Sequence, residues 1–145
     1  MKTFVIDAST ALKWVLEDED HTDEARQVLK SHLSHKITLI APDLWAYEVA
    51  SALQVATTRR RLSRIKAKKL LTLLMEAQPA LVAMDTIITE CLATAFRFKI
   101  SVYDSLYLTL ALSQKITLLT ADRKLIDKTH QSKYIFYIGN WGIRN

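Results

Sequence analysis

The stretch KTFVIDASTALKWVL, residues 2–16, decides the fold. Its apolar run from Phe4 to Ile6 predicts a short buried strand over Lys2–Ile6, and Asp7 follows directly. From Ala8 to Leu16, apolar residues recur at steps of three and four, which predicts a helix. A buried strand that leads through one acidic residue into a helix is typical of an α/β protein.

The same alternation continues toward the C-terminus. Further strands are predicted over residues 37–41, 81–84, 116–120 and 134–138, and further helices over 23–33, 42–58, 64–77, 86–98, 103–113 and 123–130. Ser63 is the expected N-cap of the helix over 64–77, and Pro79 is expected to end it. We therefore expect a three-layer α/β/α fold, in which helices cover both faces of a central, mostly parallel sheet of four to five strands.

Composition excludes several classes of protein. Cys91 is the only cysteine, so an internal disulfide is impossible and a reducing, cytoplasmic location is expected. The histidines have polar neighbours and no cysteine partners at ligand spacing, which argues against a zinc site. No apolar run has the length of a signal-peptide core or a membrane span. The 145 residues, half of them hydrophobic, suit a single domain over 1–145.

Glycine content and charge bear on the partner. The only glycines, Gly139 and Gly142, lie in the last seven residues, which excludes a glycine-rich phosphate loop at any strand-to-helix junction. Phosphate groups would therefore have to be held by side chains or metal ions. The net charge of +5 is compatible with a polyanionic partner, although many domains are mildly basic without a function attached.

Three aspartates fall at equivalent places in the predicted fold. Asp7 follows the first strand, Asp122 follows the strand ITLLT, and Asp104 lies at the start of a helix. All three should lie at the carboxyl edge of the sheet, where open α/β folds bind their ligands. For any one of them, a helix N-cap is the simpler interpretation. The set of three favours a shared site.

Glu48 strengthens the hypothesis because it lies in the middle of a predicted helix, where no cap is needed. Trp45, Ala52 and Leu53 share its helical face, so its carboxylate should point toward the interior. A buried glutamate is costly unless a charged group meets it. The alternative is a salt bridge, or a side chain that turns out to solvent. Asp104 similarly shares a helical face with Leu108, Ala111 and Leu112, so its carboxylate should also point inward.

Four carboxylates brought together would repel one another and raise each other's pKa values. A divalent cation is the natural compensation, and oxygen-only ligands favour Mg²⁺ or Mn²⁺. Such an ion lowers the pKa of a bound water and neutralises a phosphodiester, so the chemistry would be hydrolysis of a phosphate ester.

Four motifs in order resemble the PIN domain family. They are DASTALKW at 7–14, PDLWAYEVASAL at 42–53, SVYDSLYLTLA at 101–111 and LLTADRKL at 118–125. More narrowly, the chain is similar to the VapC toxins of prokaryotic type II toxin–antitoxin modules in length, in motif order and across nearly its whole extent. The resemblance implies a Mg²⁺- or Mn²⁺-dependent endoribonuclease that acts on RNA.

The resemblance also implies roles for individual residues. Asp7 and Asp104 would be the main direct metal ligands, while Glu48 and Asp122 would bind the metal through water or orient the attacking water. Two further hydroxyl side chains would hydrogen-bond these carboxylates: those of Ser9 and Thr120. For Ser9, a bond to the helix backbone is an equal alternative. The implied partners are a cognate VapB-type antitoxin, whose C-terminal segment would occupy the groove near the acids, and a second copy of the chain in a homodimer.

Several residues are candidates for contact with RNA. The candidate phosphate contacts are Lys13, Arg59, Arg60, Arg61 and Arg64, the last four within a basic run that continues to Lys69. For the run, a solvated basic face is an equal alternative, and a lone lysine such as Lys13 is usually just exposed. Trp14, Trp45 and Tyr47 can stack on a base or meet a partner helix, although Trp45 more naturally belongs to the core.

Two other functions compete with the nuclease. The first is a catalytically inactive PIN-like module that only binds RNA or protein, against which the presence of all four acids speaks. The second is an aspartate-phosphorylated enzyme or receiver, also an α/β fold with acids at the sheet edge. A receiver needs a lysine after a late strand, whereas Lys115 precedes the strand ITLLT.

Overall fold

A computed structural model describes residues 1–142. Its centre is a five-stranded sheet of order β3-β2-β1-β4-β5, in which every neighbouring pair is parallel. The strands are β1 (Lys2–Ile6), β2 (Ile37–Pro42), β3 (Ala80–Val82), β4 (Thr117–Thr120) and β5 (Ile135–Tyr137). Five strands, all parallel, confirm the predicted sheet.

Helices flank the sheet and complete the three-layer α/β/α fold that the sequence predicted. Between residues 1 and 142 the α-helices are α1 (Ala8–Leu12), α2 (Thr22–Leu33), α3 (Leu44–Thr58), α4 (Arg64–Glu76), α5 (Ile88–Phe98), α6 (Val102–Gln114) and α7 (Arg123–Thr129). Short 3-10 turns cover Asp85–Ile87 and Ile138–Asn140. None of the described helices is both long enough and apolar enough to cross a membrane.

Some boundaries differ from the sequence prediction, most of all at α1. This helix ends at Leu12 rather than Leu16, and the chain continues in turns. Trp14 is buried and its indole N–H donates to the Ala25 carbonyl at 3.0 Å, which ties this segment to α2. Apolar residues at helical spacing can therefore also lie in turns, from which each packs separately into the core.

Two further boundaries differ from the sequence prediction. β3 ends at Val82, and the next residues lead into the 3-10 turn, so the predicted helix over 86–98 is regular only from Ile88. Helix α4 ends at Glu76, before Pro79, because a proline also disfavours helical conformation in the residue that precedes it. Ser63 caps α4 as expected, accepting a hydrogen bond from the Lys66 N–H at 3.1 Å.

The centre of the core lies along β1 and its neighbours. Val5 and Ile6 are fully buried, as are Leu118 and Leu119 on β4. A strand covered on both faces consists of apolar residues without alternation, which is the pattern of these segments. Because Ile6 pairs with Leu119 in register, the residues that follow them emerge side by side at the carboxyl edge of the sheet.

Candidate active site

Asp7 is the most enclosed of the four acids. It follows β1 directly, is buried, and caps α1 by accepting the Thr10 N–H on Oδ1 at 3.0 Å. The Ser9 hydroxyl donates to the same oxygen at 2.8 Å, and the Thr120 hydroxyl donates to Oδ2. The N-cap interpretation is therefore correct for Asp7, and the two hydroxyls lie where they were expected from the sequence. Ser9 bonds the carboxylate rather than a backbone carbonyl.

Asp122 lies beside Asp7 because β1 and β4 are neighbours. Its Oδ1 caps α7, accepting the N–H groups of Lys124 at 2.9 Å and Leu125 at 3.2 Å. Its own N–H donates to the Thr120 hydroxyl at 3.0 Å, and that hydroxyl donates to Asp7. Thr120 thus links the two aspartates through one oxygen atom.

Glu48 reaches the same edge from α3. Its side chain is half-buried, and its helical neighbours Trp45 and Leu53 are buried, so the predicted inward direction is confirmed. The Tyr107 hydroxyl donates to Glu48 Oε1 at 2.6 Å. This hydrogen bond was not predicted from the sequence. The signal was present, because Tyr107 lies three residues after Asp104 and therefore on the same face of α6.

Asp104 lies in the first turn of α6, where Ser101 rather than an acid is the N-cap. The Ser101 hydroxyl oxygen accepts the Asp104 N–H at 3.0 Å, so the carboxylate of Asp104 is not needed to cap the helix. Its side chain is half-buried. The N-cap alternative is therefore wrong for Asp104, although it is right for the other two aspartates.

The electrostatics show that these carboxyl groups interact. Burial raises the pKa of Asp7, against the hydrogen bonds from Thr120, Thr10 and Ser9 that lower it. Burial also raises the pKa of Glu48, and the charges of Asp7 and Asp104 raise it further, while the Tyr107 hydrogen bond opposes them. Asp104 has a raised pKa because of burial and then the charge of Asp122. Negative charge at this edge is therefore mutually unfavourable.

These carboxylates suit a small cation that keeps several of its water ligands better than a cation that is coordinated by protein side chains alone. Among residues 1–142, no three His, Cys, Asp or Glu side chains are close enough together to hold one metal ion. Mg²⁺ commonly binds through one or two carboxylates and keeps several of its waters, which suits carboxylates spaced around an edge. The absence of a histidine or cysteine from the described site makes a zinc centre a poor fit.

The candidate RNA contacts lie in different environments. Lys13, a candidate phosphate contact for which exposure to solvent was the alternative, is only 9% exposed. The arginines at the end of α3 and the start of α4 are all exposed. Arg61 is engaged by Asp18, with Nη2 at 2.8 Å from Oδ1 and Nε at 3.2 Å from Oδ2. Arg61 is therefore the least available of the basic run.

The three aromatic candidates for base stacking differ in their exposure to solvent. Trp45 is fully buried and Trp14 nearly so, which makes both of them core residues. Tyr47 is 73% exposed and directly precedes Glu48. Tyr103, which directly precedes Asp104, is 63% exposed. Two exposed aromatic residues therefore directly precede two of the acids in the chain.

Fold and site together define a class of protein: a parallel α/β/α domain with acidic residues from several elements along the carboxyl edge of its sheet. The PIN domain family model matches residues 4–130, a range that includes all four acids. The chain belongs to the PIN domain family. PIN domains are generally nucleases, and membership supports nuclease function in general.

Comparison with solved structures agrees on the fold. The chain is similar to the crystal structure of PAE2754 from Pyrobaculum aerophilum, with a TM-score of 0.73 and 23% sequence identity over 99% of this chain and 96% of that one. No curated protein matches the chain in sequence.

Proposed function

We propose that this chain is a Mg²⁺- or Mn²⁺-dependent endoribonuclease that hydrolyses RNA phosphodiester bonds with a metal-activated water. The observation that carries the proposal is the placement of acidic residues from separate elements at one edge of the sheet, where Asp7 follows β1, Asp122 follows β4 and Tyr107 of α6 holds Glu48 of α3. Burial, and after it the neighbouring carboxylates, raise the pKa values of Glu48 and Asp104. Burying like charges together costs stability, and a cation that the reaction needs would offset that cost.

The four acids differ in the oxygen atoms they can offer. Both oxygens of Asp7 accept hydrogen bonds, which fixes its orientation. We propose Asp7 and Asp104 as direct ligands, with Glu48 and Asp122 acting through water or orienting the attacking water. Tyr107 holds one oxygen of Glu48 and leaves the other for that purpose. A bound divalent ion would lower the pKa of a water and neutralise charge on the phosphodiester.

The exposed tyrosines favour a single-stranded substrate. Tyr47 and Tyr103 each precede a candidate ligand and present a ring to solvent. Bases that are not held in a duplex can stack on such rings. Arg59, Arg60 and Arg64 would follow the phosphate backbone farther away, because Arg59 lies roughly 16 Å along α3 from Glu48.

Cleavage of assorted RNAs with Mn²⁺ and with EDTA tests the proposed activity. We expect cleavage only with the metal ion, and none by Asp104→Asn, which keeps the shape of the side chain and removes its charge. Asp127→Asn on the exposed face of α7 is the matched control and should cleave as the wild type does. Cleavage that survives both EDTA and Asp104→Asn would overturn the proposal.

The basic run is tested by the salt dependence of RNA binding. Removing a side chain that binds one phosphate should flatten the logarithmic salt slope by roughly 0.7 for a single strand. We expect this change for Arg59→Gln and Arg60→Gln. Arg61→Gln should change the slope least because Asp18 already neutralises that side chain. A salt slope unchanged from the wild type in all three variants would assign the run to a solvated face.

We further propose that the chain is the toxin of a VapBC toxin–antitoxin pair and acts in the cytoplasm. Its proposed partners are a VapB-type antitoxin at the acidic edge and a second copy of the chain. Expression should arrest growth, Asp104→Asn should not, and co-expression of a small DNA-binding protein from the adjacent reading frame should restore growth. Arrest by the Asp104→Asn variant would contradict this role.

A second function, an inactive PIN-like module that binds RNA or protein, is favoured by one observation. No three ligating side chains converge on one point among the described residues. The two functions differ in their response to metal. An active site that binds Mn²⁺ should gain thermal stability with concentration by mass action, whereas an inactive module should show no shift.

A further inference from the structure

A large cavity lies between α2 and the sheet and reaches the amino ends of the strands. Its volume is about 850 Å³, within the range of small-molecule sites. Its lining includes Lys2, Ile37 and Thr117, which are the first residues of β1, β2 and β4. Lys2 lies about 17 Å along β1 from Asp7. The lining also includes Leu119, the partner of Ile6, so the cavity extends from this edge along the sheet. We call it the amino-edge cavity.

The wall of the amino-edge cavity is basic. Among the described lining residues none is acidic, and four are lysines: Lys2, Lys30, Lys36 and Lys133. All four are exposed, and within residues 1–142 none of them forms a salt bridge. Clustered charges of one sign around a concave surface attract ions of the opposite sign. The cavity is therefore suited to an anion.

Aromatic rings form another part of the wall. Trp141 packs edge-on against Phe4, with ring centroids 5.6 Å apart, and against Phe136, with centroids 6.3 Å apart. Gln27 and Asn140 add amide groups that can both donate and accept hydrogen bonds. A flat heterocycle with polar edges would meet apolar surface and hydrogen-bonding groups here.

We propose that the amino-edge cavity binds a nucleotide, with its phosphate near the lysines and its base against the aromatic wall. Basic groups combined with aromatic surfaces are the usual means by which proteins hold unpaired nucleotides. The nucleotide is either free or one unit of a single-stranded RNA. Binding needs no divalent ion and is independent of the acids at the other edge.

The test is calorimetric titration with AMP and with a short single-stranded oligoadenylate, both in EDTA. We expect saturable binding of at least one of them. Lys30→Glu combined with Lys133→Glu should weaken it about tenfold or more. The matched control, Arg97→Glu with Lys99→Glu at the end of α5, changes the net charge equally, lies outside both the cavity lining and the basic run, and should stay within about twofold. Trp141 gives a second readout, since Trp14 and Trp45 are buried and its fluorescence should change on binding.

The outcomes separate the two sources of ligand. Binding of AMP assigns the cavity to a free nucleotide, and binding of the oligonucleotide alone assigns it to an RNA strand. Three results would overturn the proposal: no saturable binding of either ligand, equal weakening in the cavity and control variants, or inorganic phosphate binding as tightly as AMP. The last would show that the base contributes nothing.

Discussion

The hydrogen bond from Tyr107 to Glu48 joins α6 to α3 beside the acids. Tyr107→Phe keeps the buried ring and removes only the hydroxyl. Since this substitution removes a hydrogen bond to a charged group, we expect the free energy of unfolding to fall by about 1–2 kcal/mol near neutral pH. Urea denaturation measures it, and Tyr103→Phe, at an exposed position on the same helix, is the control that should change little.

A double-mutant cycle with Glu48→Gln isolates this hydrogen bond. If the hydroxyl acts through Glu48, removing it should cost less stability once the glutamate charge has been replaced. Strict additivity of the two substitutions would contradict a direct interaction between them.

The raised pKa values predict a pH dependence for the metal-free protein. The pKa values of Asp7, Glu48 and Asp104 lie above their ordinary values of 3.8 for aspartate and 4.5 for glutamate. The folded chain therefore keeps protons that the unfolded chain has released, and its stability falls as pH rises through the raised values. We expect the melting temperature of wild type relative to Glu48→Gln to increase as pH is lowered from neutral toward those ordinary values.

Exposed groups should not hide this trend. The hydrogen bond from Arg61 lowers the pKa of Asp18, which makes stability rise rather than fall with pH. Both side chains are exposed, so solvent screens their interaction and the effect is small. Added Mn²⁺ should reduce the difference, since an ion at this edge favours the charged carboxylates. A difference independent of pH would show that Glu48 ionises as it does in the unfolded chain.

The positions of the four acids could be predicted from sequence because each has a local signature. Asp7 and Asp122 follow apolar strands, and Glu48 interrupts an apolar helical face. Tyr107 lacked such a signature, since an aromatic residue in an amphipathic helix fits a core position equally well. Which atom its hydroxyl reaches depends on how α3 and α6 cross, and no local pattern encodes that geometry.

At the scale of elements, the short helix α7 allows the capping role of Asp122 to be tested separately from its proposed role in catalysis. Asp122 caps it through one oxygen, which Asn retains and Ala does not. We expect Asp122→Ala to lower the free energy of unfolding by about 1 kcal/mol, with Asp122→Asn close to wild type. Both variants should lose RNA cleavage. Thermal denaturation beside a cleavage assay checks this, and full activity in the stable Asn variant would limit Asp122 to capping.

Element boundaries were the part of the fold least accessible from sequence. The strands and long helices were located because their apolar periodicity spans many residues. Helix α1 was predicted four residues too long, since Trp14 and Leu16 occupy helical positions in the pattern while packing from turns. The difference arises from a tertiary hydrogen bond to α2, and tertiary contacts override local periodicity.

At the scale of the whole molecule, α5 presents an exposed apolar face that we propose as the dimer interface. Ile88, Leu92 and Phe96 lie four residues apart on one helical face and are 49%, 45% and 74% exposed. Contiguous exposed apolar side chains mark interaction sites. We expect light scattering to give a dimer for the wild type and a monomer for Phe96→Glu. Ile65→Glu, equally exposed on α4, should remain a dimer, and a dimer in both variants would exclude α5 as the interface.

The two outermost strands, β3 and β5, are three residues long each. A long, flat outer strand presents unpaired backbone groups on which a foreign strand can add, and this is a route to amyloid-like aggregation. Because each edge strand exposes few unpaired backbone groups, the protein should resist this kind of aggregation even at high concentration. Contacts between copies should then be made by helix side chains, which can be specific and reversible.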